Sequence, residues 1–191
     1  MPKIILASGS PRRKQILENA GLIFEIHASN FDEKLKSHDF SKEIIEQFAF
    51  NKAKDVAEKF KNDIVISADT VVVYDNKIFM KPKNKEDAFG MLKTLSGKTH
   101  FVQTSICMLY GDEKHIKSVK TYVTFNDLSD ELINYYIENY KPFDKAGAYG
   151  IQELPEGFIK SVDGDYENVI GISSTIVKEM LRMLTFHEFK N

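Results

Sequence analysis

The stretch DIVISADTVVVY, residues 63–74, sets the first limit on the fold. It is a continuous apolar run, broken only by Ser67, Asp69 and Thr70. A strand that is apolar at nearly every position is one buried on both faces of its sheet. Other layers must therefore cover that sheet on each side, which points to an α/β arrangement. A carboxylate near the end of such a strand is costly unless it is paired, hydrated or bound to metal. Thr70 and the following valines continue the strand, so Asp69 is not capping a turn.

The flanking segments alternate between helix and strand patterns. KIILAS (3–8) reads as a short buried strand. Helix punctuation follows it: Ser10 at the N-cap, Pro11 at the first helical position and Gly21 where a left-handed cap residue belongs. LIFEIHA (22–28) alternates as a strand, and 31–40 reads as a polar loop. A second helix is expected over 41–60, with Ile45, Phe48, Ala49, Val56 and Phe60 on its apolar stripe. Lys52 falls within that stripe, and snorkelling would account for it. A turn at Asp75-Asn76 returns the chain as KIFMKP. Asn84 caps a helix through Leu95, closed by Gly97. A hairpin turns near Gly111, and a further helix covers 130–140 before Pro142. A glycine-rich loop, AGAYGIQ, then leads to two expected strands, GFIKSV and ENVIGI, around Gly164, and a last helix over 175–184. The fold expected is a mixed sheet with flanking helices.

With 191 residues, the chain fits one domain, or two lobes sharing a core. It is 42% hydrophobic and 28% charged, a balance that argues against disorder. The formal net charge of −2 provides no global basic field for nucleic acid, so any anion site must be local. Cys107 is the single cysteine; it excludes an intrachain disulfide and fits a reducing cytoplasm. The N-terminal residues do not read as a signal peptide, and no apolar run is long enough for a membrane span.

The chemistry concentrates at SGSPRRK. A strand, a tight turn carrying Ser8 and Ser10, and a helix start make an anion site, because the first helical N–H groups lack partners and the dipole is positive there. Arg12 and Arg13 oppose that dipole unless an acidic ligand arrives, and their guanidinium forks suit phosphate oxygens. Asp69 reads as a metal ligand or a base for water. Asp32-Glu33 offers a second carboxylate, although such a pair is more often a solvated surface feature. Lys81 before Pro82 is either another phosphate contact or an edge-strand charge. Cations facing carboxylates suit phosphoryl or nucleotidyl hydrolysis.

Ser8-Gly9-Ser10-Pro11-Arg12-Arg13 resembles the S-x-S-P-R-R signature of the Maf-like nucleotide pyrophosphatases, the septum-formation-inhibitor-like proteins. Asp32-Glu33, Lys52, residues 67–72, Lys81-Pro82, residues 146–152 and residues 166–171 match in the same order, so the likeness covers nearly the whole chain. It implies one domain over 1–191 with two lobes and a central cleft, related to the inosine triphosphate pyrophosphatases of the Ham1 type. It further implies hydrolysis of dTTP and UTP, and of modified pyrimidine nucleotides, to monophosphate and pyrophosphate with Mg2+ or Mn2+. Under it Asp69 is the proton acceptor, and Arg12, Thr70 and Gln152 bear on substrate choice. Ser8, Ser10, Arg13, Lys52 and Lys81 surround the phosphates, and Glu33 joins Asp69 at the metal. The Gln152 amide, with a donor and an acceptor, can match the imide of uracil or thymine. The chain departs from the pattern at Ile172-Ser173-Ser174, where Leu-Pro is usual after the glycine, and at Glu153, where a small residue is common. The resemblance allows a homodimer, and it leaves a second reading, a nucleotide-binding regulator of septum formation acting through a partner.

Overall fold

The computed structural model describes residues 2–35 and 37–188. Its elements in order are β1 (Ile4–Leu6), α1 (Pro11–Asn19), β2 (Glu25–Ile26), α2 (Lys42–Ala57), β3 (Ile64–Tyr74), β4 (Lys77–Phe79), α3 (Lys85–Leu95), β5 (Thr99–Tyr110), β6 (Glu113–Phe125), α4 (Asp130–Tyr140), β7 (Ile159–Asp163), α5 (Tyr166–Ile170) and α6 (Ser174–Glu188). Two short 3-10 turns, Ala146–Ala148 and Ile151–Glu153, sit between α4 and β7. The strands form one seven-stranded sheet in the order β2-β1-β3-β5-β6-β7, with β4 also paired to β3. Pairing is parallel from β2 through β1 to β3 and antiparallel elsewhere. The α/β class and the mixed sheet with flanking helices are as the sequence pattern requires.

β3 organises the molecule. Along one edge β5 accompanies it from Val65 to Val73. Along the other edge β1 pairs with Ile64–Ile66 and β4 with Val72–Tyr74. Between these two neighbours the edge of residues 67–71 has no strand partner among the described residues. Side chains alternate across the sheet. Val65, Val71 and Val73 therefore pack under α2, with Ile45, Ala49 and Ala53. Ile66, Ala68 and Val72 face the opposite layer, built by α1 and α6 at one end and by α3 and α4 at the other. Fully burying such Val, Ile and Leu side chains contributes about 1.5–3 kcal/mol each, the main source of stability at both faces.

Local signals placed most of the elements. Ser10, Ser41, Asn84 and Ser129 each accept a hydrogen bond from a backbone N–H of the helix they open. Gly21 and Gly97 take positive φ just past their helices. Asp75 and Asn76 both sit at positive φ, the requirement of a two-residue hairpin turn. Two expectations need correction. LIFEIHA forms a strand only at Glu25–Ile26, both exposed at the sheet edge. ENVIGI is the helix α5 and its cap instead of a strand. Asp165 accepts a hydrogen bond from the Asn168 N–H at 3.1 Å, opening a helical turn that overrides the β-branched run. The polar loop over 31–40 holds only an isolated bridge, Asp39 to Lys77, among its described residues, and Lys36 lies outside them.

Candidate active site

A cavity of about 400 Å³ opens beside the unpaired edge of β3. Ser8, Ser10, Arg12, Arg13, Glu33, Lys52, Asp69, Thr70, Lys81 and Gln152 all line it. Residues singled out along 145 positions of chain are thus brought to one place. Asp69 and Thr70 are neighbours in β3 and so point to opposite faces of the sheet. They reach the same cavity because no strand of the described residues covers this edge.

On the α2 face, Asp69 is buried, its side chain 5% exposed. It accepts a hydrogen bond from the Lys52 ammonium at 2.5 Å, and Lys52 also contacts Glu33. Lys52 therefore does not snorkel; its ammonium is clamped between two carboxylates. Ser67, two residues earlier on the same face, donates to the Ala49 carbonyl, which ties β3 to α2. Burial pushes the Asp69 carboxyl above the ordinary carboxylate range. Lys52 opposes that shift and the nearby Glu33 charge adds to it.

On the other face lies the tip of α1. The Ser10 hydroxyl accepts from the Arg13 N–H, and the Ser8 hydroxyl accepts from the Ser10 N–H and from Arg13 Nη1. Arg13 also donates through Nε to the Gly171 carbonyl at 2.9 Å and through Nη2 to Thr70 Oγ1 at 3.1 Å. Its cation is thus partly answered by acceptors of the protein itself. Arg12 pairs through Nη1 with Asp144 at 3.2 Å. Thr70 Oγ1 is also within 2.9 Å of Thr104 Oγ1 and donates to the Gly171 carbonyl at 3.2 Å. Asn168, fully buried, fixes this group. Its Oδ1 accepts from the Thr104 N–H, its Nδ2 donates to the Val102 carbonyl, and its carbonyl accepts from Thr104 Oγ1. Sequence reasoning missed this role, although an asparagine amid Val and Ile was its signal.

The glycine-rich loop closes the far side. Gly147 adopts φ +67, and a Cβ there would stand 2.9 Å from both γ-methyls of Val72, so the backbone lies directly on β3. The Gly150 N–H donates to Tyr136 Oη at 3.0 Å. Tyr149 lines the cavity with its hydroxyl 2.7 Å from His100 Nε2, and burial pulls the His100 imidazole down to about 4. Gln152 is exposed in the second 3-10 turn, and Lys81 is exposed two residues past β4. The residues before the loop also contribute. Lys145, its side chain 8% exposed, lies between Asp144 Oδ1 at 2.9 Å and Glu153 Oε2 at 3.1 Å. Burial acts to raise the Asp144 carboxyl, but hydrogen bonds from Lys145 and Arg12 outweigh it and hold that group below the usual range. Lys145 was not selected from sequence; an Asp-Lys pair leading into a glycine-rich turn was the available signal.

Among the described residues no three His, Cys, Asp or Glu side chains gather as a metal centre. Glu33 and Asp69 nonetheless offer hard oxygen donors on either side of one cation. Such a pair suits Mg2+, which takes one or two carboxylates and completes its shell with waters and substrate phosphates. No helix in the described residues is long and apolar enough to cross a membrane.

A family model described as Maf-like protein matches residues 3–184. A dTTP/UTP pyrophosphatase of Geobacillus sp. (strain WCH70) is 45% identical over 184 residues, 96% of this chain and 99% of that protein. A protein of the same name from Thermosipho africanus (strain TCF52B) is 46% identical over 179 residues, 94% of this chain and 92% of that one. The Bacillus anthracis dTTP/UTP pyrophosphatase is 44% identical over 181 residues, 94% and 95% of the two chains. Among solved structures, a nucleoside-triphosphatase / dITP/XTP pyrophosphatase from Mycobacterium abscessus aligns with 66% of this chain and 75% of its own, at a TM-score of 0.45 and 13% identity. That likeness is too slight to bear on the chemistry.

Proposed function

The chain belongs to the Maf-like protein family, and from that premise we propose that it hydrolyses dTTP and UTP to the monophosphate and pyrophosphate. The observation that carries the reading is the cavity itself. It sets Asp69 opposite a helix N-terminus bearing Arg12 and Arg13, with Lys52 and Lys81 at its walls. Several cations gathered at a helix N-terminus suit a triphosphate. A buried carboxylate with a raised affinity for protons suits the base.

In this reading Asp69 accepts a proton from water as the water oxygen attacks the α-phosphorus. The bond from that phosphorus to the oxygen bridging to the β-phosphorus breaks, and pyrophosphate leaves with the electron pair. Lys52 orients the Asp69 carboxylate and bears part of the phosphate charge. Ser8, Ser10, Arg13 and Lys81 hold the phosphates, with Arg13 already fixed in direction by Gly171 and Thr70. Glu33 and Asp69 would hold a divalent cation. When bound, it neutralises charge developing on the phosphate oxygens. Arg12, Thr70 and Gln152 bear on which nucleotide is accepted.

The test is pyrophosphate release from a panel of nucleoside triphosphates, with and without Mg2+. Release from dTTP and UTP above the purine triphosphates, abolished by chelation, is the expected result. A protein that releases none from either pyrimidine nucleotide is not this enzyme.

A further inference from the structure

Lys145 and Glu153 lie outside the phosphate chemistry, yet both line the same cavity. Their end of it has a different charge balance. Arg13, Lys52 and Lys81 face Glu33 and Asp69, leaving an excess of one positive charge beside the α1 tip. Arg12 and Lys145 face Asp144 and Glu153, which leaves none. A triphosphate placed there would meet two carboxylates, Asp144 and Glu153, with side chains 62% and 38% exposed. A neutral base meets no such repulsion.

The loop is built around this lysine. A Cβ at Gly150 would stand 2.8 Å from Lys145 Cε and 2.9 Å from Cδ, so the glycine makes room for the stem. Glu153 Oε2 is buried and pairs with the ammonium at 3.1 Å, but it accepts no well-formed hydrogen bond from the described residues. The Glu153 side chain is 38% exposed in all, so the rest of its carboxylate stays open to the cavity it lines. Gln152, with an amide donor, precedes it in the same 3-10 turn. We infer that Gln152, Glu153 and Lys145 read the base as donor, acceptor and donor. The inference rests on the pyrophosphatase reading above and deepens it.

The imide edge of uracil or thymine is complementary: a carbonyl, an N–H and a second carbonyl. Glu153 accepts from N3–H while Lys145 and Gln152 donate to the flanking oxygens. Cytosine presents a carbonyl, a bare ring nitrogen and an amino group, so two of three positions oppose the protein. Leaving polar groups unpaired in this way is a strong basis for rejection.

The first measurement uses the unaltered protein. Calorimetric titration with UMP, CMP and 3-methyluridine monophosphate should show UMP binding at least about tenfold tighter than either of the others, the scale of one hydrogen bond to a charged group. Equal binding of UMP and its 3-methyl form overturns the inference. The second is Glu153→Gln, whose amide can turn a donor toward cytosine N3. The UTP-to-CTP ratio of kcat/KM should fall about tenfold or more. A purely structural Lys145–Glu153 pair would lower all substrates alike and leave that ratio unchanged, which also overturns it. If the unaltered protein releases no pyrophosphate from UTP or dTTP, the enzymatic reading fails first, and the monophosphate titration still decides whether the pocket reads an imide.

Discussion

The cavity holds two lysines, each between two carboxylates, and the two clamps differ in where their carboxylates stand. Lys52 grips Asp69, which projects from the central strand with its side chain 5% exposed, and Glu33, at 33%. Lys145 grips Asp144 and Glu153, which come from loop segments and are 62% and 38% exposed. The buried clamp drives its central carboxyl above the ordinary range, whereas the solvated one holds Asp144 below it. The contrast follows from dielectric. A charge pair taken out of water keeps strong mutual attraction but pays desolvation, and a pair at the surface does neither. A strand fixes groups that must act on a bond, while a loop presents groups that can adjust to a base.

The largest expected effect separates the two ends by activity. Asp69→Asn should lower kcat about 10²–10⁴-fold, the usual contribution of a positioned base. UMP affinity at the Lys145 end should be unchanged. Full turnover in this variant would remove the base from the proposed mechanism.

Stability should separate the clamps next. Lys52→Met leaves Asp69 buried beside Glu33 without a cation, which costs about 3–5 kcal/mol. Lys145→Met leaves Asp144 62% and Glu153 38% exposed to water, so the loss should be smaller, about 1 kcal/mol. Denaturant unfolding of the two variants measures the difference, and equal losses would erase the comparison.

A pH dependence belongs to His100, which packs against the cavity-lining Tyr149. His100 is buried, neutral and hydrogen-bonded to Tyr149, and its imidazole is pulled from the ordinary 6.5 to about 4. Below about 6.5 the unfolded chain takes up a proton that the folded protein refuses. Stability is therefore lost as pH falls from about 6.5 to about 4, by up to ~3 kcal/mol. Unfolding free energies at several pH values should show this slope, and His100→Gln should flatten it. An unchanged slope would place the titration elsewhere.

Much of this was legible in the chain because the signals were local. Caps at Ser10 and Asn84, turns at Asp75-Asn76 and Gly111, and the apolar run of β3 each rest on a few adjacent residues. The misreadings were of segments whose state depends on distant partners. ENVIGI has strand composition, yet Asn168 bonds to Thr104 and Val102 some 64 and 66 positions away. LIFEIHA alternates, but only two residues of it find β1. Lys52 fell on the apolar stripe of α2, and nothing nearby in sequence revealed the carboxylates that hold it.

Sequence alone determined that a strand buried on both faces would carry a carboxylate, and that a helix would begin with two arginines behind a serine turn. Those features are written in residue type and spacing. Tertiary structure alone decided that β1 and β4 would share one edge of β3 and leave 67–71 open between them. Strand pairing is a long-range choice made by packing on both faces. It is that gap which lets Asp69 and Thr70, on opposite sides of the sheet, meet Lys145 and Glu153 across one cavity.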